Sequence, residues 1–476
     1  MKKLVLIILI ILIPISYLLY KKFRQCRNNY NLLIITLDTT RFDYLGYSNH
    51  KWIQTPYIDS LARRGIVFTN AFSVSNQTAP AHYSLFSGVT PVVHGIRTNI
   101  NKPYEEFKLP TLAEILKKSG NYQTIAYFQG PFTLKDPYKI LNGFLFKNQP
   151  PSYLKQMPEF KRFSVQDTLL TTSAIEAMGR NKNHNWFLWL HYWIPHAPYF
   201  ADETEKSKYA EYYPSRDWWD YIRFMGIKQE EYLDKEYLIV RPPYLTIDGS
   251  DKGEIGFSDE NKRNLQNLYA MQIPSMDSQL GRLFDYLKKN KLFEKTIIVI
   301  VADHGEELMD RTSRYGHGRN LYDTSLHIPL IIIDPRFKGK SRKIDNLVRI
   351  IDIFPTVLDL LKIEDPIKEA REGISLVPLI NGTGAGPLSL KAIFKKENLA
   401  YRDAQWKYIW NSEGSKKHEL YDIRKDPFEK KDLSMDNKEL VDKLNKILIE
   451  WNKKGYSQVI TDKEHLKKLK SLGYIN

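Results

Sequence analysis

The apolar residues of this chain gather into short unbroken runs separated by polar, helix-patterned stretches. Asn31-Leu-Leu-Ile-Ile-Thr-Leu37 is aliphatic on both faces and stops at Asp38, the pattern of a strand buried inside a parallel sheet. Further strands are expected at Thr124 to Phe128, Trp186 to His191, Thr296 to Ala302 and Leu330 to Ile333. Between them the period changes. Thr55-Pro56 opens a helix toward Arg64-Gly65, with Thr as cap, Pro in the first turn and Gly at the stop. Pro110-Thr-Leu-Ala-Glu-Ile-Leu-Lys-Lys-Ser-Gly120 repeats that grammar, and a long amphipathic helix from about Glu260 to Asn290 feeds the strand at Thr296. Strands alternating with helices predict an α/β fold with a mostly parallel sheet, whose ligands bind beyond the carboxyl ends of the strands. Asp38, Asp303 and His304 all fall at such ends.

Two regions depart from this alternation. Residues 201–259 are rich in aromatic and charged side chains, including Tyr209, Tyr212, Tyr213, Trp218, Trp219 and Tyr221, and read as a lid, a substrate wall or a packed satellite helix. After Asp365, the Gly-rich Asn381-Gly-Thr-Gly-Ala-Gly-Pro387 and short strand candidates near Leu399 and Tyr408 predict a small C-terminal α+β subdomain. The expected organisation is therefore an N-terminal segment over 1–27, a catalytic region over 28–365 and a C-terminal subdomain over 366–476.

The N-terminal segment carries an apolar run from Leu4 to Tyr20, broken only by Pro14 and Ser16, between Lys2-Lys3 and the basic Lys21, Lys22, Arg24 and Arg27. At about 1.5 Å per residue it reaches roughly 25 Å, enough for a single-pass transmembrane anchor if the flanking cations snorkel. With four basic residues after the run and two before it, the positive-inside rule would leave the rest of the chain in the cytoplasm. The resemblance described below points instead to an extracytoplasmic catalytic region.

Charge and cysteine usage narrow the chemistry. Against 55 acidic residues stand 70 Lys and Arg, a formal charge of +15 that favours anionic partners such as phosphate or sulfate esters, or an acidic membrane surface. No zinc-finger spacing or RNA-binding aromatic signature accompanies it, so nucleic acid is not an expected partner. Cys26, the single cysteine, excludes an intrachain disulfide and a Cys-based zinc site.

Thr36-Leu-Asp-Thr-Thr-Arg-Phe-Asp43, Ser75-Asn-Gln-Thr-Ala-Pro-Ala-His82 and Val301-Ala-Asp-His-Gly-Glu-Glu307 each place polar groups where apolar strands end. Two carboxylates, an imidazole and a hydroxyl together make an oxygen-rich site for one divalent cation, which would make the Thr78 hydroxyl nucleophilic near neutral pH. From Asn31 to nearly its last residue the chain resembles the sulfatase-like branch of the alkaline phosphatase superfamily. Leu37-Asp-Thr-Thr-Arg-Phe-Asp-Tyr-Leu-Gly46 looks like the first metal-ligand segment, with Thr39 where sulfatases carry a second aspartate. Thr78-Ala79-Pro80-Ala81-His82 stands where they have Cys or Ser, any residue, Pro, Ser, Arg, and a threonine cannot become formylglycine. Its Thr form is similar to that of phosphatases and phosphoglycerol transferases. His191-Tyr-Trp-Ile-Pro-His-Ala-Pro-Tyr199, Asp303-His304-Gly305-Glu306, Gly316-His317-Gly318 and Glu419-Leu-Tyr-Asp-Ile-Arg-Lys-Asp-Pro-Phe-Glu429 match later segments of the family.

The resemblance implies an alkaline phosphatase-like three-layer sandwich with a mostly parallel central sheet. It implies one divalent cation (Ca, Mn, Mg or Zn) on Asp38, Asp303, His304 and the Thr78 oxygen. It further implies Thr78 as covalent nucleophile, with His196, His317 and His82 contacting the ester oxygens. His191 reads as structural. Asp277 is followed by Gly281 rather than by a histidine four residues on, which argues against the second metal of related phosphodiesterases. Pro80 is expected to start a helix behind Thr78 whose free N–H groups and dipole favour the anion. The substrate is expected to be an anionic ester of a glycan, a lipid head group or a small molecule, with phosphate favoured chemically over sulfate. A membrane-anchored head-group transferase and a non-catalytic glycan binder are the alternatives.

Overall fold

A computed structural model describes residues 30–104, 107–128, 140–148, 159–197, 199, 203–215, 259–311, 315–337, 341–395, 398–412, 416–454 and 463–474. The expected anchor over 1–27 lies outside the described residues, among which no helix is long and apolar enough to cross a membrane.

The body is organised around one eight-stranded sheet in the order β10-β2-β9-β6-β1-β5-β3-β4. Its strands are β1 (Asn31–Leu37), β2 (Ile66–Phe72), β3 (Tyr122–Phe128), β4 (Phe146–Asn148), β5 (Asn185–Tyr192), β6 (Thr296–Ala302), β9 (Leu330–Ile333) and β10 (Arg342–Arg349). A short hairpin of β7 (Glu307–Leu308) and β8 (Tyr315–Gly316) interrupts the chain between β6 and β9. β9 runs antiparallel to both neighbours, and every other pairing is parallel. The mostly parallel α/β reading therefore holds.

The unbroken apolar runs become the centre because they have no polar face to offer water: every residue of β1 and β6 is buried. Burying each Ile or Leu of this kind contributes about 1.5–3 kcal/mol relative to leaving it exposed. β3 and β5 extend one or two residues beyond the expected limits. β2 and β10 were not anticipated: β10 is a charged edge strand that alternates irregularly, and its partner carries polar Thr69 and Asn70 mid-run. Helices Leu112–Lys118 and Glu159–Arg180 pack on β3, the latter also on β5 and on the long helix Asp259–Lys289.

Helix Pro56–Ala62 forms as expected, but Thr55 does not cap it. The Thr55 hydroxyl donates to Asp59 Oδ1 at 2.7 Å and accepts from the Gly46 N–H. The free N–H groups of Tyr57 and Ile58 instead donate to the two carboxylate oxygens of Asp277 at 3.1 and 2.7 Å. Gly281 is required one turn later, because a Cβ there would lie 2.6 Å from the Tyr57 ring. Asp277 and Gly281 thus dock one helix on another.

Strands β11 (Leu390–Phe394), β12 (Asn398–Arg402), β13 (Trp406–Trp410) and β14 (His418–Asp422) form a second, antiparallel sheet. One face joins the main core through Leu390, Ala392, Phe394 and Ile409. The other, with Ile393, Leu399, Tyr408 and Leu420, packs on Val441, Leu444 and Leu448 of helix Lys438–Lys454. Of the aromatic insert, Tyr209, Tyr212 and Tyr213 pack with Trp52 and Met271, as a satellite cluster rather than a wall of the site. Trp218, Trp219 and Tyr221 lie outside the described residues.

A buried ion cluster joins the two sheets. Asp323 accepts from Lys407 Nζ at 2.7 Å and from Arg402 Nε at 2.9 Å, while its backbone N–H donates to Glu429. Lys407 is fully buried, so removing its partner strands a charge away from water. Asp323→Ala is expected to destabilise the protein by about 3–5 kcal/mol, read as a lowered midpoint in urea denaturation.

Candidate metal centre and active site

Three adjacent strands bring the candidate residues together. In the β6-β1-β5 register Leu37 lies between Ala302 and Tyr192, so the next residues of β1 and β6, Asp38 and Asp303, leave the sheet side by side. The Asp38 N–H extends the β1–β5 ladder by donating to the Tyr192 carbonyl. Asp303 Oδ1 accepts from the His304 N–H at 2.8 Å and the Thr39 N–H at 3.3 Å, which turns Oδ2 away from the backbone. Thr39, in place of the second aspartate, sits at φ 50, a left-handed conformation a β-branched residue rarely adopts. The Tyr269 hydroxyl donates to its carbonyl at 2.8 Å and accepts from the Arg41 N–H.

Asp38, Asp303, His304, His82 and His191 are all fully buried. Both oxygens of Asp38, Asp303 Oδ2 and His191 Nε2 have no hydrogen-bond partner. Burial pushes Asp38 up to about 8 and Asp303 well above the carboxylate range, the latter raised further by the charge of Asp38. His304 donates through Nδ1 to the Gly305 carbonyl at 2.9 Å, so its bare Nε2 faces Thr78 Oγ1 at 3.4 Å, Asp303 Oδ2 at 3.6 Å and Asp38 Oδ1 at 3.8 Å. Desolvation keeps its pKa well below the ordinary imidazole range. Orphaned carboxylate oxygens beside unprotonated imidazoles are the donor set of a divalent cation. Two overlapping sets qualify, Asp38-Asp303-His304 and His82-His191-Asp303, with the ligand atoms of each within 4.8 Å of one another.

Thr78 is the first residue of helix Thr78–Ser87 and only 3 % exposed. The helix starts two residues before Pro80. Its dipole points at the centre, but the expected free donors are largely committed: Ala79 donates to Asn99 Oδ1, Ala81 donates to the Gln77 carbonyl, and Pro80 has no N–H. His82, one turn on, faces the Thr78 backbone and Thr36 rather than the solvent side where a substrate contact was expected. Its Nδ1 donates to the Thr78 carbonyl at 2.8 Å and its Nε2 lies 3.0 Å from the Thr36 hydroxyl.

His196 and His317 occupy the solvent side. The His196 ring stacks on Trp193 at 3.8 Å and meets His317 edge-on at 5.0 Å, and His317 lies 4.6 Å from the His304 ring. His317 donates to Glu306 Oε1 at 3.0 Å, while Tyr199 donates to Glu306 Oε2. Burial would lower the His317 pKa, but the Glu306 charge and hydrogen bond, backed by Asp38 and Asp303, hold it up at about 9. His196 is pushed well below its ordinary value by burial and by the His317 charge. Glycines permit this placement: Gly316 and Gly318 both have positive φ, and a Cβ on Gly318 would lie 2.5 Å from Gln77 Nε2.

Residues 30–363 match the sulfatase family, and residues 313–454 match the C-terminal region of N-sulphoglucosamine sulphohydrolase. The chain belongs to the sulfatase family. It is 25% identical over 452 residues to the arylsulfatase K of Gallus gallus, covering 88% of this chain and 81% of that protein. The phosphonate monoester hydrolase of Agrobacterium radiobacter superposes with a TM-score of 0.70 at 20% identity, over 90% of this chain and 96% of that one. A protein solved with its substrate D-glucosamine-2-N,6-O-disulfate gives 0.70 at 17% identity, over 91% and 100%.

Within this sulfatase-family chain, sequence reasoning singled out the residues at strand ends but took His191 as structural and did not weigh Glu306 or Thr36. His191 lies near the end of a largely apolar strand of which all but Asn185 is buried. The raised carboxylates carry a sign for stability. Without a cation, folded Asp38 keeps its proton up to about 8 whereas the unfolded chain releases it near the ordinary value of 3.8, so stability falls as pH rises through that window. His317, raised to about 9, acts in the same direction at the upper end. In chelator, the melting temperature is expected to fall as pH rises from about 5 to about 8, at most about 1.4 kcal/mol per unit for each retained proton, and adding divalent cation is expected to remove the slope.

Proposed function

We propose that the chain is a metal-dependent ester hydrolase of sulfatase ancestry that works through a covalent Thr78 intermediate and favours a phosphate ester over a sulfate ester. The observation that carries this is the placement of Thr78 Oγ1, 3.4 Å from the bare Nε2 of His304 and beside orphaned carboxylates at a helix N-terminus. Asp38, Asp303, His304 and Thr78 Oγ1 would hold the divalent cation, which when bound would acidify the hydroxyl and draw charge from the ester's non-bridging oxygens.

The protein's own groups then divide the work. Thr78 Oγ1 forms the bond to phosphorus as the bond to the leaving alcohol breaks, its hydroxyl proton having passed to water. His317, held protonated by Glu306, donates to the leaving oxygen and recovers a proton from the water that hydrolyses the Thr78 ester. His196, stacked on Trp193, has its Nδ1–H committed to the Ala197 carbonyl, so it donates to a non-bridging oxygen through Nε2 once the anionic ester draws a proton onto that nitrogen. His82 is a positioning residue: its hydrogen bond to the Thr78 carbonyl fixes the turn that presents the nucleophile. Phosphate is favoured because a threonine ester lacks the hydrated aldehyde through which a formylglycine sulfate collapses by elimination. The net basic balance of +15 supports an anionic glycan, lipid head group or small molecule as substrate.

The purified protein with Mn²⁺ or Ca²⁺ is expected to turn over aryl phosphates or phosphodiesters faster than aryl sulfates, with Thr78→Ala reducing kcat at least about a thousandfold. Full turnover by Thr78→Ala would end the covalent reading, and sulfate turnover exceeding phosphate would reverse the ester preference. The reading includes an anchor over residues 1–27 with the catalytic region outside the cytoplasm. A reporter active only outside the cytoplasm, fused after Asn476, is expected to be active; activity only from a cytoplasmic reporter would invert the topology.

A further inference from the structure

The tautomer of His191 follows from counting hydrogens around one hydroxyl. Thr36 Oγ1 lies 3.0 Å from Trp189 Nε1, 3.0 Å from His82 Nε2 and 2.9 Å from His191 Nδ1. A hydroxyl has one hydrogen and two acceptor lone pairs, and an indole nitrogen only donates, so Trp189 takes one lone pair. The Nδ1 of His82 faces a carbonyl that only accepts, so its one N–H in the neutral ring is there and its Nε2 is bare. The Thr36 hydrogen must go to that Nε2. The Leu190 carbonyl, the rival acceptor, is more distant at 3.4 Å. Only the second lone pair remains for His191, whose Nδ1 must be the donor. His191 Nε2 is therefore a bare lone pair, fully buried, without a partner, and 3.4 Å from Asp38 Oδ2, which is also unpartnered.

Two lone pairs facing each other away from water repel unless a cation lies between them. The hydrogen bond from Nδ1 to Thr36 is also the support that metal-bound imidazoles usually have on their far nitrogen. We propose that His191 Nε2 is a further ligand of the divalent centre, supplying the donor lost where Thr39 replaces an aspartate, and that the resulting two-imidazole set selects a first-row transition ion over Ca²⁺ or Mg²⁺. This rests on the metal-centre reading above. His82 is excluded from the ligand set although it lies near, because both of its nitrogens are committed. Imidazole nitrogen suits Zn²⁺ and its spectroscopic substitute Co²⁺, whereas Ca²⁺, Mg²⁺ and, to a lesser degree, Mn²⁺ take oxygen.

The test uses the full chain in detergent, stripped with chelator and titrated calorimetrically with Zn²⁺, Mn²⁺, Ca²⁺ or Mg²⁺ alone. Wild type is expected to bind Zn²⁺ at least about tenfold more tightly than Ca²⁺ or Mg²⁺, with Mn²⁺ between them. His191→Gln should lose about 10–100-fold in Zn²⁺ affinity with little change for Ca²⁺, and should shift the visible absorption bands of the Co²⁺-loaded protein. Thr36→Val, which frees the His191 tautomer, should weaken Zn²⁺ in the same direction by a smaller factor. Unchanged Zn²⁺ affinity and Co²⁺ spectrum in His191→Gln would overturn the assignment, leaving a proton shared with Asp38. If His191→Gln fails to fold, the wild-type ion preference and Thr36→Val decide, and a preference for Ca²⁺ or Mg²⁺ overturns it. Failure of wild type to take up any divalent ion would sink the metal-centre reading itself.

Discussion

Asp38 and Asp303 stand side by side where water does not reach, and the arrangement around them holds them rather than neutralises them. Backbone N–H groups fix one oxygen of Asp303 and leave the other free, while neither oxygen of Asp38 has a partner. The nearby guanidinium of Arg41 is engaged by Asp43 and Asp310 instead. An uncompensated buried carboxylate costs several kcal/mol, so each must either take a proton or share a cation. Without a cation, burial drives both toward the first state. The catalytic end of the molecule is thereby built at the expense of its own stability, a common feature of sites that must bind before they act.

The sheet makes this juxtaposition possible. Parallel strands release their carboxyl ends along one edge, and the three strands that matter are neighbours although far apart in the chain. β9, the antiparallel strand, separates them from β2, whose continuation carries Thr78 back toward the same edge as a helix start. The second sheet takes no part in this geometry; it is tied to the body through the Asp323, Lys407 and Arg402 cluster and a shared core.

Much of this was legible because the central strands are buried on both faces and so appear as uninterrupted aliphatic runs. Asp38, Thr78, Asp303 and His304 were readable from position and motif, and the structure brings them together. What escaped depended on partners distant in sequence. Asp277 was legible only as lacking the histidine of a second metal site; that it caps a helix depends on N–H groups from residues about two hundred positions away. Thr55 had the composition of a cap but was recruited by Asp59. Nothing in the segment around His191 reveals that its Nδ1 meets the Thr36 hydroxyl of the neighbouring strand. Edge strands such as β10 face water and therefore carry no strong apolar period.

Strand β5 lies between two others, and its His191 is paired in register with Thr36 on one side and Phe128 on the other. Its backbone is thus clamped at the spacing of the sheet, about 4.8 Å from each neighbouring strand. Asp38 and Asp303 leave the adjoining strands under the same constraint. The gap among these three side chains is consequently a property of the β-ladder, not of a loop that could close or widen around its contents. For a cation held there as proposed, ionic radius would be selected by the hydrogen-bond repeat of the sheet.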